Sequence, residues 1–170
     1  MTSAYLSIGS NLDPRSEYLS LAIEDLKAAG FVIKRMSGVY ETQAWGKEDE
    51  PDYLNCCVYG ETLLGPFDLL KLVKDIEVQV GRRSREHWGT REVDIDILLY
   101  GDEKILSPKL TIPHRDLKKR RFVLVPLLDV TQGNSVLIDG EDPKDILENL
   151  NDLSRVKIYD HSRDSKQEKT

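Results

Sequence analysis

The chain is poor in cysteine: Cys56 and Cys57 are the only two, and they are adjacent. Adjacent cysteines rarely close a structural disulfide, and they lack the spacing of a zinc site. Set in YLNCCVYG, they read as small packing residues of a strand in a reducing compartment. No apolar run approaches the ~20 residues of a membrane span. The opening residues, MTSAYLSIGSNL, lack the basic start and long apolar core of a secretory signal, so a cytoplasmic location is expected. Positive charge is not in excess either. The net charge of −6 argues against bulk nucleic-acid binding. Neither Gly-x-Gly-x-x-Gly nor Gly-x-x-x-x-Gly-Lys-Ser/Thr occurs, which excludes Rossmann and P-loop readings. There is no internal repeat and no interdomain linker.

What remains is a soluble, globular composition: 170 residues, 39% hydrophobic and 32% charged. That length allows one domain with a real core. The domain is expected over residues 1–159, followed by a polar tail, 160–170, expected to be disordered.

Hydrophobic periodicity orders the chain. Ala4 to Ile8 alternates like a strand. Asp13-Pro14 looks like a helix start, with Asp13 as N-cap and Pro14 at the first helical position. Leu19, Ala22, Ile23 and Leu26 follow at helical spacing up to Gly30. Phe31–Arg35 and Gly38–Thr42 read as short strands or one broken strand. A charged connection runs from Gln43 to Asp52, where Trp45 is either a core anchor or a lid over a flat ligand. Tyr53 to Glu61 is a strand. Gly65-Pro66 opens a second helix, periodic through Leu69, Val73, Ile76 and Val80, with Gly81 as its expected stop. Beyond the next strand, His114 to Arg121 reads as a basic helical turn or loop. Phe122 to Leu128 is apolar, and Pro126 weakens a strand there. Asp142-Pro143 starts a short last helix. The order β-α-β-β-α-β with additions is the ferredoxin-like split pattern, an α+β fold with a mainly antiparallel sheet and helices packed on it.

Residues 81–100, GRRSREHWGTREVDIDILLY, carry the chemistry. Val93, Ile95, Ile97 and Leu99 alternate with Asp94, Asp96, Leu98 and Tyr100. A strand therefore puts Asp94 and Asp96 on one face, about 6.5–7 Å apart at the backbone. Carboxylates that close raise each other's pKa unless a cation neutralises them. Mg²⁺ suits such a pair together with waters and phosphate. Arg82, Arg83, Arg85 and Arg91 precede the pair and suit phosphate oxygens. The plainer alternative is a solvated strand end beside a basic surface loop.

Four stretches then meet a family in register. They are GSNL after the first strand, PDYLN at 51–55, HWGTREVDIDILLYG at 87–101 and TIPHRDLKKRRFVLVPL at 111–127. Over about residues 4–130 the chain resembles the 6-hydroxymethyl-7,8-dihydropterin pyrophosphokinases of folate biosynthesis. The resemblance implies an ATP-dependent diphosphotransferase. It would pass the β,γ-pyrophosphoryl unit of ATP to the hydroxymethyl oxygen of a reduced pterin and release AMP. By matching position, Asp94 and Asp96 would hold two Mg²⁺ ions. Arg82 and Arg91 would contact the triphosphate, Arg83 or Arg85 would assist, and Trp88 would close over the site. Thr42, Gln43 and Ala44 would lie at the pterin, Asn55 on its edge, and Tyr53 and Phe122 on its two faces. Glu77, Ile97, Lys109, Thr111, His114, Arg115 and Arg120 would lie along ATP. The chain departs from the family pattern at Lys109, Arg115 and Trp45, and its arginine loop is one residue shorter.

The residue chemistry agrees with this. Pyrophosphoryl transfer needs positioning and charge neutralisation more than covalent catalysis. No strong general base stands near the motif, so Asp96 would at most relay a proton while metal lowers the hydroxyl pKa. Aromatic faces fit a flat pterin, and Asn55 offers both a donor and an acceptor to its edge. Tyr53 and Phe122 also read as ordinary core aromatics, and Asn55 as a turn cap. Neither a glycosyltransferase nor a non-enzymatic nucleic-acid or nucleotide-binding module fits as well. The first needs an α/β nucleotide-sugar domain, and the second lacks its aromatic signature. The expected partners are ATP and the reduced pterin, without nucleic acid or membrane, on a monomer.

Overall fold

The computed structural model describes residues 1–43, 52–83 and 92–161, the side chain of Arg83 excepted. Strand β1 (Thr2–Ser10) lies between β4 (Tyr53–Thr62) and β5 (Asp94–Tyr100) and pairs antiparallel with both. The far edge of β4 is shared by β2 (Val32–Met36) and β3 (Tyr40–Thr42). Strand β8 (Val156–Ile158) extends the sheet beyond β3. The order is β5-β1-β4-β3-β8, with β2 beside β4, and every pairing is antiparallel. Among the described residues β2 pairs with β4 alone. A separate two-stranded ribbon joins β6 (Ile105–Leu106) to β7 (Thr111–Ile112).

Alternation along β1 sorts the interior into two cores. Ala4, Leu6 and Ile8 face helices α1 (Arg15–Ala28) and α2 (Pro66–Arg83) and are fully buried with Leu26, Leu69 and Val73. Tyr5 faces the opposite way, toward α3 (Arg121–Thr131) and α4 (Pro143–Glu148), with Leu124, Leu127 and Ile146. Strand β4 serves both cores: Leu54, Cys56 and Val58 point to the first and Cys57 to the second. Both cysteines are buried free thiols, as their strand setting implied. The mixed α/β layout with an antiparallel sheet agrees with the expected class.

Three local expectations change, and one open stretch is settled. Helix α1 begins at Arg15, with Pro14 in the cap position and no side-chain cap, so Asp13 is not the N-cap. Asp13 instead pairs with Arg15 Nε at 3.2 Å. Gly81 does not stop α2, which continues to Arg83. A Cβ at position 81 would lie 2.8 Å from Glu92 Oε2, so the glycine serves a close approach inside the helix rather than its end. Phe122 to Leu128, an apolar stretch in which Pro126 disfavours a strand, is helical. Proline's fixed φ suits a helix, and Pro126 removes only one hydrogen bond from a turn already anchored by Val123, Leu124, Leu127 and Val130. Finally, the alternation of β5 breaks. The pairing with β1 slips between Tyr5, opposite Leu99, and Leu6, opposite Ile97, leaving Leu98 as an extra residue. Leu98 and Leu99 therefore both enter the second core, while Tyr100 turns to the first and its hydroxyl donates to Leu64 O at 2.7 Å.

No helix among the described residues is long and apolar enough to cross a membrane. Of the expected tail, Asp160 and His161 are described, and 162–170 lie outside the described residues.

Candidate active site

The slip in β5 falls after Ile97, so the acidic end keeps its strand alternation. Ile95 and Ile97 enter the first core, and Asp94 and Asp96 share the other face of the sheet. Their cross-strand partners on β1 are Gly9 and Ser7. All four line a cavity of about 320 Å³. Thr42 and Gln43 at the end of β3, Tyr53 and Asn55 on β4, and Arg120, Phe122 and Val123 at the start of α3 complete its described wall. The volume is that of a small-molecule site, with a few polar groups converging among apolar ones.

Asn55 is fixed in this wall. It is 5% exposed, and its Nδ2 donates to Thr42 Oγ1 at 2.7 Å. Its Oδ1 leans over Gly9, where a Cβ would come within 2.5 Å. The glycine of GSNL is thus required by close approach of a side chain. The serine of the same motif donates from Oγ to the backbone oxygen of Glu92, tying β1 to the start of the acidic segment.

A second groove, of about 270 Å³, opens on the other side of Asp96. Lys109, Thr111, His114 and Arg115 line it with Ile97, and α2 contributes Leu70 and Lys74. His114 is oriented within it. Its Nδ1 accepts from Asp116 N at 3.1 Å, so a neutral ring carries its proton on Nε2, which lies 3.9 Å from Asp96 Oδ1. Asp96 is the one described carboxylate that lines the cavity and the groove together, and its side chain is 44% exposed.

Several expected residues stand elsewhere. Glu77 does not line the groove. Its Oε1 accepts from Ile95 N at 2.9 Å and pairs with Lys74 Nζ at 3.2 Å, so it holds β5 against α2 from behind. Arg120 lines the first cavity rather than the groove, with its guanidinium 5.6 Å from the Phe122 ring centre and paired to Asp116 at 3.0 Å. Arg82 lies in the last turn of α2, exposed, and lines neither space, because the helix continues past Gly81. Arg83 ends that helix. Ala44, Trp45, Arg85, Trp88 and Arg91 lie outside the described residues.

Sequence reading overlooked Ser7, Gly9 and Val123 in the cavity and Lys74 in the groove. The signal for the first two was present: on β1 they alternate with the buried Leu6 and Ile8. Asp94 and Asp96 form no group with a third His, Cys, Asp or Glu among the described residues that could enclose a metal. Two carboxylates on an open wall fit a cation that keeps water and takes phosphate oxygens, as Mg²⁺ does.

The family model described as 7,8-dihydro-6-hydroxymethylpterin-pyrophosphokinase matches residues 5–132. The 2-amino-4-hydroxy-6-hydroxymethyldihydropteridine pyrophosphokinase of Aquifex aeolicus is 45% identical over 130 residues, covering 76% of this chain and 81% of that protein. The enzyme of the same name from Haemophilus influenzae is 35% identical over 159 residues, covering 93% and 99%. Among solved structures, Plasmodium falciparum HPPK-DHPS aligns over 87% of this chain with a TM-score of 0.64 and 15% identity, a likeness of fold. The chain spans 43% of that longer protein. A match over most of the sequence, together with such relatives, means that the chain belongs to the 7,8-dihydro-6-hydroxymethylpterin-pyrophosphokinase family.

Proposed function

We propose that the protein transfers pyrophosphate from ATP to the hydroxymethyl group of 6-hydroxymethyl-7,8-dihydropterin, giving the pterin diphosphate and AMP in folate biosynthesis. The observation that carries this reading is the meeting of two spaces at one carboxylate, Asp96. The pterin occupies the cavity. Asn55, held by Thr42, reads its amide-like edge, and Tyr53 and Phe122 supply the aromatic faces. The triphosphate runs through the groove past Lys109, Thr111, His114 and Arg115. The hydroxymethyl oxygen and the β-phosphorus then meet beside Asp96.

Asp94 and Asp96 would hold Mg²⁺, two ions with ATP, on their shared face of the cavity wall. The chemistry such ions would supply there is neutralisation of phosphate oxygens and a lowered pKa of the pterin hydroxyl. The protein side chains do the rest. Lys109 and Arg115 draw negative charge along the groove, and the family resemblance assigns Arg82 and Arg91 to the triphosphate as charge shifts toward AMP. Asp96, 44% exposed, passes the hydroxyl proton on to solvent, and His114 presents its Nε2–H toward that carboxylate. Glu77 keeps β5 in register behind them.

We also infer a ferredoxin-like core. The order β5-β1-β4-β2/β3 with antiparallel pairing throughout supports it, with β8 as an addition. The alternative of a nucleic-acid-binding sheet loses ground here. That role needs an open sheet face, and α1 and α2 cover one face while α3 and α4 pack on the other.

The test is incubation with ATP, Mg²⁺ and the reduced pterin alcohol. AMP in equal amount to pterin diphosphate is the expected result. ADP, or nucleotide turnover without pterin, rejects the reading. Asp96→Ala is expected to cut turnover on the order of a thousandfold, several kcal/mol of lost transition-state stabilisation, and to leave the melting temperature nearly unchanged.

A further inference from the structure

Outside both spaces, a cluster of charges grips the cavity wall from behind. Arg15, in the first turn of α1, holds three groups at once. Its Nη1 donates to the backbone oxygen of Asp52 at 2.9 Å, its Nη2 lies 3.1 Å from Glu41 Oε2, and its Nε lies 3.2 Å from Asp13 Oδ1. The ring of Tyr159 sits 5.6 Å from its guanidinium carbon. From β8's side, Arg155 donates its backbone N–H to Gln43 Oε1 at 3.3 Å and its Nη2 to Asp52 Oδ2 at 3.1 Å. Lys157 Nζ approaches the other oxygen of Glu41 at 4.0 Å.

These contacts fall on particular backbone positions. Glu41 precedes Thr42, and Asp52 precedes Tyr53. Thr42 and Tyr53 are cross-strand partners, and both line the cavity with Gln43. The chain leaves β3 at Gln43 and enters β4 at Asp52, so the two arginines grip both points. Strand β3 has only three residues and cannot hold this corner through its own ladder. Arg155 lies beyond residues 5–132, the stretch that the family model covers.

We propose that Arg15 and Arg155 are positioning residues for the pterin. They fix Glu41, Gln43 and Asp52, and through them the placement of Thr42, Gln43 and Tyr53 in the cavity wall. This rests on the pyrophosphokinase reading above. The two grips differ in strength. Arg15 and Glu41 are 17% and 11% exposed, so removing the arginine would strand a buried carboxylate. Arg155 and Asp52 are 54% and 33% exposed, a surface pair that adds little to global stability. Loss of Arg155 therefore acts locally. Arg15→Lys keeps the charge and loses the fork that reaches three acceptors.

The test compares wild type with Arg155→Ala, Arg155→Lys and Arg15→Lys. KM for the reduced pterin alcohol is expected to rise about threefold in Arg155→Ala, matching a surface pair's fraction of a kcal/mol. It is expected to rise about tenfold in Arg15→Lys, where a more buried pair is disturbed. KM for ATP stays at the wild-type value in both, and Arg155→Lys recovers the pterin KM. Equal rises in both KM values, or an unchanged pterin KM, would overturn the proposal. Backbone amide exchange gives a readout without turnover. Faster exchange confined to residues 52–54 in Arg155→Ala, which keeps the backbone bond to Gln43, supports the grip, and unchanged exchange there overturns it. Failure of the wild type to form AMP with pterin would count against the enzymatic reading alone.

Discussion

Gly9 and Asn55 show how much of the site depends on one missing methyl group. Asn55 Nδ2 is committed to Thr42, so the side chain cannot swing aside freely. A Cβ at position 9 would press within 2.5 Å of its Oδ1. Gly9→Ala must therefore break the Asn55–Thr42 bond or displace β1. The first is cheaper, since one such bond contributes about 1 kcal/mol net. The expected outcome is a pterin KM raised about fivefold, with ATP binding preserved, read by steady-state kinetics at varied pterin and varied ATP. Equal damage to both substrates would mean that the strand itself had moved. The side chains of Asp94 and Asp96 are less delicate. Their common face follows from strand period, which is why the pair was visible in the sequence.

Among the elements, β3 is the thinnest and the most externally supported. Besides the arginine grip, it is tied to α3 through Asp129 Oδ2, which accepts from the Tyr40 hydroxyl at 2.6 Å and from Gly38 N at 3.1 Å. Burial first, and then the hydrogen bond to Asp129, push the Tyr40 hydroxyl up to about 12 from its usual 10.0. The sign follows from proton binding. Between those values the unfolded chain has lost this proton and the folded protein retains it, so stability falls as pH rises. The contribution is complete below pH 10 and is lost by about pH 12. Buried Cys56, raised to about 12 from 9.0, adds to the same decline. Tyr40→Phe is expected to flatten the fall of melting temperature with pH above 10, measured by circular dichroism. An unchanged slope would remove Tyr40 from that linkage.

The same elements show what was readable in advance. Strand β1, helix α2 and the acidic end of β5 carry long, clean periods, and periodicity found them. The slip at Leu98 was invisible because register belongs to the pairing with β1, not to β5 alone. Helix α3 shows in the sequence only as an apolar stretch where Pro126 argues against a strand; burial of Val123, Leu124, Leu127 and Val130 in the second core makes it a helix. Strand β8 has three residues, of which Val156 is partly buried and the others exposed, and it forms only because β3 offers an edge. Arg15 gave no motif at all; its role depends on partners 26 and 37 positions away. Arg120 stands beside Phe122 instead of along the groove because it forms the cap of α3.

At the scale of the molecule, one sheet separates two cores, and β4 contributes side chains to both. Such sharing couples them. Leu69 in the first core and Leu124 in the second are both fully buried. Leu69→Ala and Leu124→Ala are each expected to cost about 2–5 kcal/mol. Each should move the same single urea transition, followed by fluorescence and circular dichroism together. A second transition appearing in either variant would show that the α3–α4 layer unfolds on its own.

The rim of that sheet has its own chemistry. Beyond β2 runs a row of main-chain amides and carbonyls with no strand paired to them among the described residues, and Lys34 and Arg35 stand exposed along it. Rims of this kind are where unrelated chains can stick together into growing stacks. Two such rims brought face to face would set cation against cation, so crowding alone is a poor route from this protein to fibrils.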